Sequence, residues 1–212
     1  MGGAAPPSPF REGLSVLAEA RGCTCNTVPV EPVEALLTAL EAQWALATRL
    51  TVPDLSRPSK CPGWSVFDVV NHSVGVTLKF NEFASAATDR PRTPTGDLIG
   101  SRPGPALRAA ADSARTAWSA ADLSRECHLP FGTFPAQVAA GINLVDVLAH
   151  SWDVGRIGDA VFCCRDEVWS AGLQMARTLM GSGRDPSHYG IEILGSDAAP
   201  PEQRFLGYLG RQ

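Results

Sequence analysis

Apolar residues recur at helical spacing in five stretches of the chain, and short polar or proline-rich segments separate them. The first confident helix is predicted over about Pro32 to Leu50, where Val33, Leu36, Leu37, Leu40, Trp44 and Leu46 or Ala47 share a face. Glu31 and Glu34 near its start suit the helix dipole. Pro53, Pro58 and Pro62 make Thr51 to Gly63 a loop, and Ser65 can cap a second helix that opens at Val66 or Phe67 and runs to about Ala86. A third helix is predicted over about Ala106 to Ala121, carrying Leu107, Ala110, Ala111, Ala114 and Trp118.

Residues 129–135, Leu-Pro-Phe-Gly-Thr-Phe-Pro, form a turn-rich approach to a fourth helix of about Ala136 to Ile157, with Gly158 as its terminating residue. A fifth helix is expected over about Asp166 to Leu179, stopping near Gly181. Phe205, Leu206 and Leu209 in the remaining segment suit a cover for one end of a bundle. No stretch alternates convincingly, although a short strand near Ile191 stays open. The pattern implies an all-α bundle with up-and-down character. Residues 1–30, rich in proline and glycine, read as a flexible extension, and residues 31–212 as one domain.

Composition narrows the function. A formal net charge of −4 offers no basic face for a phosphate backbone, so nucleic acid is not expected as a partner. No apolar run approaches the roughly 20 residues needed to cross a bilayer, and Met1 to Phe10 lack the layout of a signal peptide. A cytoplasmic protein without a membrane partner is expected. Six cysteines are too sparse for a disulfide scaffold, and most read as small buried hydrophobes. Neither Cys23-Thr24-Cys25 nor Cys163-Cys164 has the spacing of a structural zinc site.

Three polar residues fall where a core face is expected. Asp146 precedes His150 by one helical turn among Ile142, Val145, Ala149 and Trp152, and His72 lies between Val69 and Val76 on the second helix. A buried carboxylate needs a cation, a donor or a proton. A carboxylate and a histidine one turn apart, joined by a histidine from a facing helix, are a recurrent way to hold a divalent metal with open coordination positions. The same spacing also allows a simple Asp–His hydrogen bond or a solvated helix edge. Asp153, one turn beyond His150, is a candidate to orient a ligand or to bind substrate, with capping or solvent-facing roles open. His128 and His188 read as surface histidines, and Trp44, Trp64, Trp118 and Trp169 as core.

Residues 61–72, Cys-Pro-Gly-Trp-Ser-Val-Phe-Asp-Val-Val-Asn-His, and 146–156, Asp-Val-Leu-Ala-His-Ser-Trp-Asp-Val-Gly-Arg, resemble the paired motifs of the DinB-like superfamily, in particular the mycothiol-dependent maleylpyruvate isomerase N-terminal domain group. The Leu-Pro-Phe-Gly at 129–132 and the ending Leu209-Gly210-Arg211 are similar to that group as well, and the likeness covers roughly residues 32–211. The resemblance implies a DinB-like four-helix bundle with an extra C-terminal helix or segment, and one metal, usually zinc, on His72, Asp146 and His150. It also implies mycothiol as co-substrate, bound and activated as a metal-bound thiolate for transfer to a small-molecule electrophile or for isomerisation. Trp152 and Asp153 are then the substrate-binding candidates. The group's isomerases carry Glu where this chain has Asp146, and they have a separate C-terminal domain for which this chain has little room. A metal-dependent thiol S-transferase, in detoxification or specialised metabolism, is therefore expected ahead of a cis-trans isomerase. A non-catalytic metal- or thiol-binding protein remains the third reading, with a homodimer one option for its assembly.

Overall fold

Ser65 ends the proline-rich loop by accepting the Asp68 amide at 3.2 Å while its own amide donates to the Asp68 carboxylate at 2.8 Å. This reciprocal cap launches the helix that carries His72. The computed structural model describes residues 30–88, 90–155, 157, 160–181 and 190–211. Its helices are α1 (Pro32–Ala47), α2 (Val52–Leu55), α3 (Val66–Ala84), α4 (Pro103–Ser119), α5 (Ala136–Val154), α6 (Asp166–Met180) and α7 (Pro201–Tyr208), with a hairpin of β1 (Glu126–Leu129) and β2 (Gly132–Pro135) before α5.

The architecture is an all-α bundle. Four helices form a ring in which α1 and α3 each pack against both α4 and α5, so α1 lies opposite α3 and α4 opposite α5. The core includes Leu36 and Leu40 of α1, Val69 of α3, Leu107 and Ala114 of α4, and Val145 and Leu148 of α5 from the expected apolar stripes; on α5 Leu144 and Val147, outside the expected stripe, are also fully buried, while Ile142 and Trp152 are only half-buried. Small residues let neighbours approach closely, as where Gly104 of α4 lies against Thr48 at the end of α1. Helix α6 packs on α5, α1 and α7. Its Gly172 touches Leu148, and its Trp169 meets Phe205 of α7 with ring centroids 5.4 Å apart.

Several expectations change in detail. The approach to α5 is a two-stranded antiparallel hairpin in the register Cys127↔Phe134 and Leu129↔Gly132, with Cys127, Leu129 and Phe134 buried. Its four-residue strands are too short to show a period of two. Within the Thr51–Gly63 loop, Thr51 and Asp54 cap the single turn α2. Helix α5 ends at Gly155 instead of Gly158, because the Gly155 amide already closes on the Ser151 carbonyl at 2.8 Å and its backbone turns extended.

Near Ile191 no strand forms among the described residues, although Gly190 and Ile193 donate backbone hydrogen bonds to Leu209 and Gly207. Of the four described cysteines, all free, only Cys127 is fully buried. The extension expected over residues 1–30 lies, apart from Val30, outside the described residues, as do Cys23, Cys25 and His188. No described helix is long and apolar enough to cross a membrane.

Candidate metal centre

Two neighbouring corners of the bundle supply the polar cluster. Helix α3 presents His72, and α5 presents Asp146, His150 and Asp153 at successive turns of one face. Asn71, one position before His72, fastens the following loop to α3 through bonds with Gly96 and Leu98. The Nε2 atoms of both histidines converge on one carboxylate oxygen: His72 Nε2 lies 3.3 Å and His150 Nε2 3.6 Å from Asp146 Oδ1. The imidazoles meet edge to face with centroids 4.9 Å apart. All three ligand atoms fall within 4.8 Å of one another.

The other Asp146 oxygen, Oδ2, is buried and has no hydrogen-bond partner. A buried carboxylate oxygen with nothing to accept costs free energy, which a cation removes. The Nδ1 atom of His150 lies 3.0 Å from Asp153 Oδ2. A carboxylate can only accept, so Nδ1 carries the hydrogen and the Nε2 lone pair is free for a ligand. Two neutral imidazoles and one carboxylate are a donor set suited to zinc or another divalent ion. His72, Asp146 and His150 therefore fit such an ion.

Without a metal, the three charged groups shift one another. For Asp146, burial pushes the carboxyl upward, but the His150 charge and the His72 contact outweigh it and hold the group below the usual carboxylate range. For His150, burial opposes the charged form, yet Asp146 and Asp153 raise the ring above its ordinary value. Asp153 is likewise held low: burial opposes, while bonds from His150 and Arg211 win.

Asp153 is only 1% exposed and both of its oxygens are engaged. Arg211 grips it with two bonds of 3.0 Å, from Nε to Oδ1 and from Nη2 to Oδ2. No face of this carboxylate is open to a substrate. Trp152 is half-buried, with the Lys60 ammonium 3.7 Å from its ring centroid.

Sequence reasoning missed Trp64, Arg211 and Cys61 as neighbours of the site. Trp64, read as core, stands edge-on to His72 at 5.1 Å and lies nearly parallel to His150 at 6.0 Å, forming one wall. The Cys-Pro-Gly-Trp motif carried that signal. Cys61 also approaches His150 and Asp153, but the guanidinium of Arg211 already neutralises that carboxylate. Burial first, and then the Asp153 charge, pushes the Cys61 thiol up. His128 pairs with Thr133 across the hairpin, away from the cluster.

Residues 36–155, more than half of the chain, match the family described as mycothiol maleylpyruvate isomerase N-terminal domain. Among curated proteins, the chain is similar to two uncharacterised proteins of Mycobacterium tuberculosis, from strains CDC 1551 / Oshkosh and ATCC 25618 / H37Rv. Each is 28% identical over 185 residues, covering 86% of this chain and 98% of the relative. No solved structure matches the chain.

Proposed function

The chain belongs to the mycothiol maleylpyruvate isomerase N-terminal domain family, and on that premise we propose that it is a metal-dependent thiol S-transferase. The co-substrate is a low-molecular-weight thiol, mycothiol, and the acceptor is an electrophilic small molecule. The observation that carries this reading is the convergence of His72 and His150 Nε2 on Asp146, whose second oxygen is buried without a partner.

His72, Asp146 and His150 would hold one divalent ion, which three protein ligands leave open to a small molecule. When bound, the ion supplies Lewis acidity that lowers the pKa of a coordinated thiol. The residues around it do the positioning. Trp64, stacked beside His150, and Trp152, covered by Lys60, would contact the bound thiol. Asp153 acts on His150, keeping its Nε2 aimed at the centre. The thiol proton would pass to solvent and the sulfur would attack an electrophilic carbon, an S–C bond forming as the bond from that carbon to its leaving group breaks and the leaving group takes the electron pair. Residues 31–212 act as one domain in this scheme, with residues 1–30 as an appended extension.

The test is elemental analysis of the purified protein beside His150→Ala, followed by assay with mycothiol and an alkylating electrophile. One equivalent of metal, lost in the variant together with thiol consumption, supports the transferase. Isomerised product without thiol consumption would replace it with the isomerase reading, and metal binding without any effect of thiol would indicate a non-catalytic metal-binding protein.

A further inference from the structure

The family match ends at residue 155, yet the metal-centre helix is gripped from residue 211. We propose that Arg211 is a positioning residue for the centre: by clamping Asp153 it keeps His150 with Nδ1 as donor and Nε2 as the open ligand. This rests on the metal reading above.

Five features carry the inference. Asp153 is buried to 1% exposure, so its charge needs a partner within the protein. Arg211 meets it with two parallel bonds of 3.0 Å, a geometry that fixes the plane of the carboxylate as well as its charge. The oxygen that takes Nη2 of Arg211, Oδ2, is the one that faces His150 Nδ1. The guanidinium is itself delivered rigidly, because Phe205 and Leu209 are fully buried and the Arg211 amide closes on the Leu206 carbonyl at 2.9 Å. The Asp153 carbonyl also accepts the Lys60 amide at 2.9 Å, so one residue joins the C-terminal segment, α5 and the loop that carries Trp64.

A tether that merely docks the C-terminus would need no relation to the imidazole. Here the chain of contacts runs from guanidinium to carboxylate to Nδ1, and it leaves Nε2 facing Asp146. Removing the guanidinium frees the Asp153 carboxylate to rotate, and the His150 ring loses the partner that selects its tautomer.

The experiment compares the full chain with Arg211→Gln and Arg211→Lys. Zinc affinity is measured by competition with a chromophoric chelator, and the metal-free His150 tautomer is read from histidine nitrogen-15 shifts at alkaline pH, where the ring is neutral. Arg211→Gln is expected to weaken zinc binding by about 10- to 100-fold, the range typical for partners of metal-ligating histidines. Its nitrogen shifts should move toward a mixture of tautomers. Arg211→Lys, which keeps charge and packing, should fall between the two. A single unchanged tautomer with unchanged zinc affinity in Arg211→Gln, whatever its melting temperature, overturns the proposal. If the parent chain binds no zinc, the metal reading falls by itself, and the nitrogen shifts still decide the role of Arg211. Should Arg211→Gln fail to fold, the same readings on Arg211→Lys decide it.

Discussion

His72 and Asp146 stand 74 positions apart in the chain and meet with 3.3 Å between Nε2 and Oδ1. The contact bridges α3 and α5, neighbouring corners of the bundle, so the fold brings together what the two motifs hold separately. Neither residue could hold a divalent ion alone.

Asp146→Asn keeps the side chain's shape and removes its charge. Zinc affinity is expected to drop by on the order of 100-fold or more, a larger loss than that for an outer partner of a ligand. Asp146→Glu restores the charge and should retain metal. Equal zinc affinity in the parent and in Asp146→Asn, measured by chelator competition, would remove Asp146 from the ligand set.

The metal-free protein should be most stable in a mildly acidic window. Asp153 is held below its ordinary value of 3.8, so its contribution is present above that pH and lost on further acidification. His150 is raised above its ordinary value of 6.5, so its contribution is full below that pH and fades as pH climbs through the raised value. Melting temperatures of metal-free protein from pH 3 to 9 should thus fall at both ends. Zinc should reverse the alkaline decline, because metal competes with protons for His150. A metal-free melting temperature that keeps rising above pH 7 would contradict this.

Gly172→Ala should destabilise the protein by about 1–3 kcal/mol, since a Cβ there would sit 2.5 Å from Leu148 Cδ1 in a fully packed core. Gly141→Ala should cost less, because the atoms it meets belong to the flexible Met175 side chain. Calorimetry on the two variants checks the order, and the reverse order would show that α6 yields more easily than Met175.

Ser65→Ala should cost about 1 kcal/mol, because it strips the cap from the helix that carries His72. Asp68→Ala removes the reciprocal bond. The two losses should not add in the double variant, since each bond supports the other. Thermal denaturation of the single and double variants measures this.

Much of the bundle could be read from the chain. The stripes of α1, α3, α4, α5 and α6 recur every three or four residues over four turns or more, which makes helices and their buried faces legible from local pattern. The Ser65 cap and the stop at Gly181 were equally local. The hairpin was not, since each strand offers only two alternations and a proline sits at the turn. The end of α5 moved three residues because the competing terminators, Gly155 and Gly158, look alike in sequence.

The candidate ligands could be singled out because each is a polar residue inside an apolar stripe, an anomaly visible without coordinates. Which polar residues would face one another was a different matter. Trp64 looks like any core tryptophan until the loop folds back beside His72 and His150. Arg211 has no periodic neighbours and no motif spacing to Asp153, 58 positions earlier. Periodicity, caps and misplaced polar residues are properties of short stretches, so the sequence by itself determined the helices and nominated His72, Asp146 and His150. The convergence of their ligand atoms, the burial of Asp153 and the grip of Arg211 depend on how α3, α5 and the C-terminal segment pack, and only the tertiary structure decided them.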